Sequence, residues 1–266
     1  MDEDQIVRVI SADGTEITGR VRGQGQPLVL VHGGLSDGNP DTNLMVPFLL
    51  GHFTCYSIST RGRGVSADCA DHSRERQYED VAAFLEDIGE PVCVFAHSSG
   101  AAWVLGGAAR AAASCRAIAL YEPALPESRP VMRDDAYARF CEAITDGRYD
   151  DAVLISVDDI IVPTDEERAF FTIPAVMEIC TSVLSAAALE IPELNRPFPI
   201  EMLDTLAMPA LLIQGTRSGD HFKDTVHRLA EALPRSRVVD IDGAGHLGPM
   251  THAQSVANEL IFFFED

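Results

Sequence analysis

The sequence predicts an α/β fold, a mostly parallel sheet flanked by helices and interrupted by a helical cap insertion. Three observations carry this. The stretches "PLVLVHGG", "FTCYSIST", "PVCVFAHS", "CRAIALYEP" and "PALLIQG" are continuous apolar runs, as strands covered on both faces of a parallel sheet require. Helix-patterned segments lie between them, which gives strand and helix in alternation. The alternation then breaks between Pro123 and Met208, where helical patterns occur without a parallel strand.

Taken in order, "IVRVIS" and "EITGRVRG" alternate as a hairpin exposed on one face, with Asp13-Gly14 as its turn. The apolar strands begin after it. Between the second and third of them, "QYEDVAAFLEDIG" places Val81, Phe84, Leu85 and Ile88 at helical spacing, with Gly89 as the stop. The insertion carries "DAYARFCEAI", "DEERAFF" and "AVMEICTSVLSAAALEI", bounded by the proline-rich "EPALPESRP" and "IPELNRPFPI". Residues 1–123 and 206–266 are therefore expected to form the core, and 124–205 a helical cap. After the cap come the strand "PALLIQG", the helix "DTVHRLAEAL", the strand "SRVVDID" and a last helix within "THAQSVANELIFFFED". There is no internal repeat and no low-complexity segment.

A chain of 266 residues with 46% hydrophobic content can bury a core of this kind in one domain plus a lid. The opening stretch begins acidic and lacks a basic head before an apolar run, and no later run reaches membrane-spanning length. A cytoplasmic protein with no membrane partner is the expectation. The formal charge of −21 arises from 41 acidic against 20 basic residues, with Lys223 the only lysine. Nucleic acid is thereby excluded as a partner, since phosphate neutralisation needs clustered Lys or Arg. The acidic surface favours solubility and argues against anionic substrates; a small, neutral, hydrophobic molecule is the expected partner, and a homodimer is compatible with the chain. The cysteines Cys55, Cys69, Cys93, Cys115, Cys141 and Cys180 form no CxxC pair and none sits with a histidine at metal spacing. They read as reduced thiols, those in strand-like runs acting as small hydrophobes, and no metal site is expected.

The chemistry gathers where "VCVFAHSSGAAWVLGG" ends an apolar strand on hydroxyls. A serine is a weak nucleophile until a base takes its proton and donors stabilise the oxyanion that follows attack. In a G-x-S-x-G elbow the serine occupies a strained strand-to-helix turn, so the residues two before and two after it must be small. Around Ser98 these are Ala96 and Gly100, one methyl group away from the pattern. The bland alternative is a strand–helix turn capped by two serines. Upstream, His32-Gly33-Gly34 follows an apolar strand, so that Gly34 can aim a backbone N–H at the oxyanion with the Ser99 N–H as partner. His32 and Gly33 read as support for that loop, and His97 likewise as structural. Downstream, "VVDIDGAGHLGPM" sets His246 in a glycine-bracketed loop between the last strand and the last helix, where a general base can reach the serine. The other histidines lie in less suitable places.

With "VLVHGG", "RGRGVS", "FAHSSGA", "ALYEP" and "GAGH" in this order and at these spacings, the chain resembles the α/β-hydrolase family over essentially its whole length. The resemblance implies a mixed, mostly parallel eight-stranded sheet with an antiparallel strand near its N-terminal edge, a helical cap over the site, and no metal or organic cofactor. It does not name a substrate, because the scaffold hosts many chemistries. The elbow serine excludes the branches that attack carbon with an aspartate, leaving hydrolysis of a carboxylic ester or lactone as the economical reading. A C–C bond hydrolase and a ligand-binding, receptor-like protein with little turnover are the alternatives. Phe170, Phe171, Met177, Val183 and Leu184 are the expected lid lining of an apolar pocket, and His246 as base sets an expected rise in rate with pH through about 6–7.

The third member is where the sequence departs from the commoner pattern of the family. That pattern puts an aspartate about three residues after the glycine that ends the strand following the cap; here Gly215 leads to Ser218, and Asp220 comes two residues late. Glu122 in "CRAIALYEP" is the favoured acid, since some members of the fold carry it after that strand, and Pro123 is expected to hold it extended. Asp220 is the alternative. A Glu122 that merely pairs with an arginine or caps the lid is the bland reading.

Overall fold

The computed structural model describes residues 5–39 and 43–265, so the acidic start at residues 1–4 lies outside it. Among the described residues one eight-stranded sheet forms the framework: β1 (Gln5–Ile10), β2 (Glu16–Gly23), β3 (Gln26–Val31), β4 (Phe53–Ser59), β5 (Val92–His97), β6 (Cys115–Tyr121), β7 (Ala210–Gly215) and β8 (Ser236–Ile241). Their spatial order is β1-β2-β4-β3-β5-β6-β7-β8. Only β2 runs against its neighbours, pairing antiparallel with β1 and β4; from β4 to β8 every pairing is parallel. The hairpin turns at Gly14, whose φ of +88° suits glycine.

Burial explains why the central strands read as unbroken apolar runs. Every residue of β7 is buried, and β3 and β5 are buried but for one end residue each. Successive side chains point to opposite faces. Val29, Val31, Val94, Ala96, Ile118 and Leu120 pack one face against α2 (Arg74–Asp87), α3 (Ser99–Arg110) and α9 (Asp220–Ala232). Leu28, Leu30, Cys93, Phe95, Ala117 and Ala119 pack the other against α1 (Val46–Leu49) and α11 (Ala253–Glu265). The edge strands β1 and β8 are largely exposed. The cysteines are free thiols, with Cys55, Cys93, Cys115 and Cys180 buried.

Helix starts lie earlier than the apolar periodicity alone places them. The α2 helix begins at Arg74 rather than Gln77, because the buried Arg74 guanidinium donates to the carbonyls of Glu193, Arg196 and Pro197 at 2.5–2.7 Å. It ends at Asp87, with Gly89 at φ +81° two residues beyond. The α9 helix begins at Asp220, so Phe222 enters the interior.

Between β6 and β7 the described residues form α4 (Asp134–Thr145), α5 (Tyr149–Ser156), a π turn (Val157–Ile161), α6 (Asp165–Phe170), α7 (Pro174–Ser182) and α8 (Leu184–Leu194). The helical pattern over 175–191 falls in two helices, which meet at 63° across Val183. These helices share their own apolar cluster, built on Phe140, Val153, Val157, Phe171, Cys180 and Leu184. A 3-10 turn (Ile200–Thr205) returns the chain, its Leu203 already packed in the core beside α3. No single helix among the described residues is long and apolar enough to cross a membrane.

The functional consequence lies in the topology. The chain leaves β3 for β4 on one side and reaches β5 on the other, so the loops after β3 and β5 diverge. A crevice opens at the carboxyl ends of the strands, where open α/β sheets bind their ligands. The α10 helix (Gly248–Thr251) follows the loop after β8.

Candidate active site

Ser98 follows the last residue of β5 and precedes α3, with φ +54° and ψ −121°. That conformation is uncommon for a non-glycine residue and is held only where surroundings over-determine it. Here they do. The Ser98 N–H donates to the Tyr121 carbonyl at 3.0 Å, and the Ser98 carbonyl accepts from Ala101, Ala102 and Ala124 at 3.0–3.3 Å. Gly100 lies so close to β3 that a Cβ there would collide with the His32 carbonyl. Ala96 is wholly buried, its methyl accommodated.

The loop after β8 brings His246 to this serine. Its Nε2 lies 3.0 Å from Ser98 Oγ, and its Nδ1 lies 2.8 Å from Glu122 Oε2. A carboxylate at Nδ1 fixes the proton there, so Nδ1–H donates to Glu122 and Nε2 is left to accept the serine hydroxyl. Ser98, His246 and Glu122 are 7%, 2% and 0% exposed. Phe222 stacks on the imidazole, with centroids 3.9 Å apart and planes 6° from parallel. Burial disfavours charge on both partners. It pushes the Glu122 carboxyl up, opposed by hydrogen bonds from the Gly215 N–H and the Ser218 hydroxyl. Burial likewise pushes the His246 imidazole down, with the field of His221 adding to it.

Of the two acids weighed from sequence, Glu122 is the one brought to His246; Asp220 is exposed in the first turn of α9. Glu122 is not extended as Pro123 was expected to make it. Its φ is +44°, because its N–H donates to the Ile213 carbonyl at 3.0 Å while Ala124 donates to Ser98, turning the chain sharply at the end of β6. The position three after Gly215, where an aspartate was sought, holds Ser218, whose hydroxyl donates to Glu122 Oε1 beside the Gly215 N–H at 2.7 Å. The loop after β7 thus supplies a donor to the carboxylate instead of the carboxylate.

Gly33 and Gly34 flank the serine from the β3 side. A Cβ at Gly33 would lie 3.2 Å from Ser98 Cβ, and one at Gly34 would lie 3.4 Å from Ser99 Oγ. Ser99 opens α3, where backbone N–H groups have no partner within the helix. His32 braces the loop: its Nδ1–H donates to the Gly33 carbonyl at 2.8 Å and its Nε2 accepts the Thr60 N–H at 3.2 Å. His97 braces the opposite side, its Nε2–H donating to the His246 carbonyl at 2.9 Å.

A cavity of ≈ 100 Å³ opens over Ser98, lined by Gly34, Leu35, Val131, Ile160, Phe171 and Val176 among others. Phe170 and Phe171 line it as expected from sequence, whereas Met177, Val183 and Leu184 do not. On α7 the face toward the cavity is Val176 and Cys180, one turn apart; Met177 is rotated away, and Val183 and Leu184 are consumed in packing. Sequence reasoning also missed a buried ion pair on the wall. Arg63 binds the Glu190 carboxylate of α8 and donates to the Gly34 carbonyl at 3.1 Å. Nothing in "RGRGVS" distinguished Arg63 from Arg61, which instead holds Asp80 and Asp13 away from the site. Among the described residues no group of three or more His, Cys, Asp or Glu side chains is arranged to hold a metal ion.

A family model described as "Alpha/beta hydrolase family" matches residues 28–259. Among solved structures, an alpha/beta hydrolase from Sphaerobacter thermophilus is 29% identical, with TM-score 0.81 over 97% of this chain and 100% of that one. An esterase, RhEst1, from Rhodococcus is 20% identical with TM-score 0.74, covering 98% of each chain. The enol-lactonase from Burkholderia xenovorans is also 20% identical, with TM-score 0.78 over 98% of this chain and 100% of that one. Among curated proteins, a stretch of 66 residues, 24% of this chain, is 35% identical to the polyketide synthase ThaQ of Burkholderia thailandensis, of which it spans 3%.

Proposed function

Since the chain belongs to the alpha/beta hydrolase family, we propose that it is a serine hydrolase that cleaves a carboxylic ester or lactone through an acyl-enzyme. The observation that carries this reading is the buried line Ser98 Oγ, His246, Glu122, with links of 3.0 and 2.8 Å, at the floor of an apolar cavity. Ser98 Oγ attacks the acyl carbon while His246 Nε2 takes its proton, and the carbonyl electron pair moves onto oxygen. The N–H groups of Gly34 and Ser99 stabilise that oxyanion. Glu122 holds the imidazole tautomer and stabilises the imidazolium without taking the proton. Collapse breaks the C–O bond, and the leaving oxygen receives the proton from His246. Water, deprotonated by His246, then attacks the acyl-enzyme, and the acid leaves as Ser98 regains its proton.

The apolar lining favours a neutral acyl group of modest size, and on the wall the charge of Arg63 is matched by Glu190. The structural neighbours named as an esterase and an enol-lactonase lean the same way at the level of fold. A screen of p-nitrophenyl esters from acetate to octanoate, with lactones alongside, tests the proposal. Repeated turnover by wild type and none above background by Ser98→Ala is expected. Turnover of a vinylogous diketone with none on esters or lactones, or a single burst without further turnover, would overturn it.

A further inference from the structure

We propose that Glu167, on the lid helix α6, is a positioning residue that seats the histidine loop, so that docking of the lid completes the site. The inference rests on the reading of His246 as the base. Glu167 is 1% exposed although it is a carboxylate, and burial of that kind requires partners. Its Oε2 accepts the Thr164 N–H at 2.9 Å, closing a capping box with the Thr164 hydroxyl. That accounts for one oxygen. The other, Oε1, accepts the Leu247 N–H at 2.5 Å, across 80 residues of sequence and from a different part of the fold. Leu247 directly follows His246, and its side chain is packed in the lid cluster with Phe171, Leu184 and Ile191.

The loop is shaped to receive this carboxylate. A Cβ at Gly245 would collide with Glu167, so the glycine before His246 serves close approach rather than unusual dihedrals. From the core side the same loop is held by Tyr121 Oη, which donates to the Gly245 carbonyl at 2.7 Å, and by His97, which donates to the His246 carbonyl at 2.9 Å. Residues 245–247 are therefore gripped from the sheet below and from the lid above. Without Glu167 the upper grip is reduced to the packing of the Leu247 side chain, and the imidazole loses part of what fixes its distance to Ser98. A misplacement near 1 Å is enough to lower a rate by about a hundredfold.

The test compares Glu167→Ala, Glu167→Gln and Thr164→Ala. Thr164→Ala weakens the same capping box and leaves the Leu247 contact in place, so it reports what lid-helix stability alone is worth. For Glu167→Ala we expect kcat to fall by about ten- to a hundredfold with KM changed less than about threefold. Thr164→Ala should stay within about threefold of wild type, and Glu167→Gln, which keeps an acceptor for Leu247, should recover most of the loss. The downfield Nδ1–H resonance of His246, read by NMR on protein labelled at histidine nitrogen, reports ring position without any substrate. It should persist in wild type and Thr164→Ala and broaden or vanish in Glu167→Ala. Equal losses in Glu167→Ala and Thr164→Ala, or an unchanged resonance and kcat in Glu167→Ala, would overturn the clamp. If wild type turns nothing over, the catalytic reading fails while the resonance still decides whether Glu167 positions the ring.

Discussion

Glu122 occupies a backbone conformation that disfavours it, and this is the strongest residue-level sign that its carboxylate has a task. A glutamate at φ +44° with three donors on its two oxygens is held by Ile213, Gly215, Ser218 and His246 together. Backbone held in such a sparsely populated region clusters at functional sites. We expect Glu122→Gln to lower kcat by about two to four orders of magnitude while circular dichroism and Tm stay near wild type. Asp220→Asn should cost less than about tenfold, since Asp220 stands exposed away from the imidazole; the reverse ranking, measured as kcat on one ester, would hand the role to Asp220. The pH dependence follows from burial. A buried imidazole resists the cation, so its pKa falls and the neutral base survives to lower pH. The acid limb of kcat/KM should therefore lie below 6.5, the ordinary histidine value, rather than at the 6–7 read from sequence alone. Glu122→Gln should move the limb lower still, because it removes the negative partner that favours the imidazolium. A limb above 6.5, or a shift upward in that variant, would contradict the assignment.

At the scale of elements, two contacts decide where Ser98 points. Gly100 lets α3 start against β3, and the pair Gly106 and Gly107 lets α3 lie close on α2, where a Cβ at either would enter Tyr78 or Val81. Alanine would gain about 1 kcal/mol of helix propensity at Gly106, but overpacking against a buried tyrosine ring costs about 1–3 kcal/mol. The second effect wins, so Gly106→Ala should lower Tm; a rise in Tm on thermal unfolding would show the ring can move aside. These elements were legible to different depths. The parallel strands announced themselves because both faces are buried, and the hairpin because one face is not. Helix starts were hidden because Arg74 and Phe222 are set by contacts distant in sequence, and the break at Val183 because no glycine or proline marks it. The same limit applied to the site: Ser98, His246 and the glycine loop carry local spacing signals, whereas Ser218, Arg63 and Glu167 act through partners that only the tertiary fold brings near. For Glu167 the one readable trace was the capping box, which points into its own helix and says nothing of Leu247.

For the whole molecule, an apolar cavity lies between a sheet edge and the helices that join β6 to β7, which have their own apolar cluster, within the acidic surface of a chain of net charge −21. Self-repulsion of that surface is strongest where the Debye length is long. Raising salt from about 0.01 M to about 0.15 M should thus raise Tm by roughly 2–4 °C, for about 1 kcal/mol of relieved repulsion; an unchanged or lower Tm would mean that paired charges dominate instead. The central claim, a covalent acyl-enzyme at the elbow, is most directly reached by treating the intact protein with a fluorophosphonate and reading its mass and the modified peptide. We expect one adduct on wild type, located at Ser98, a marked slowing of its formation in His246→Ala, and none in Ser98→Ala. An adduct mapping to Ser99, or equal labelling of Ser98→Ala, would contradict the account.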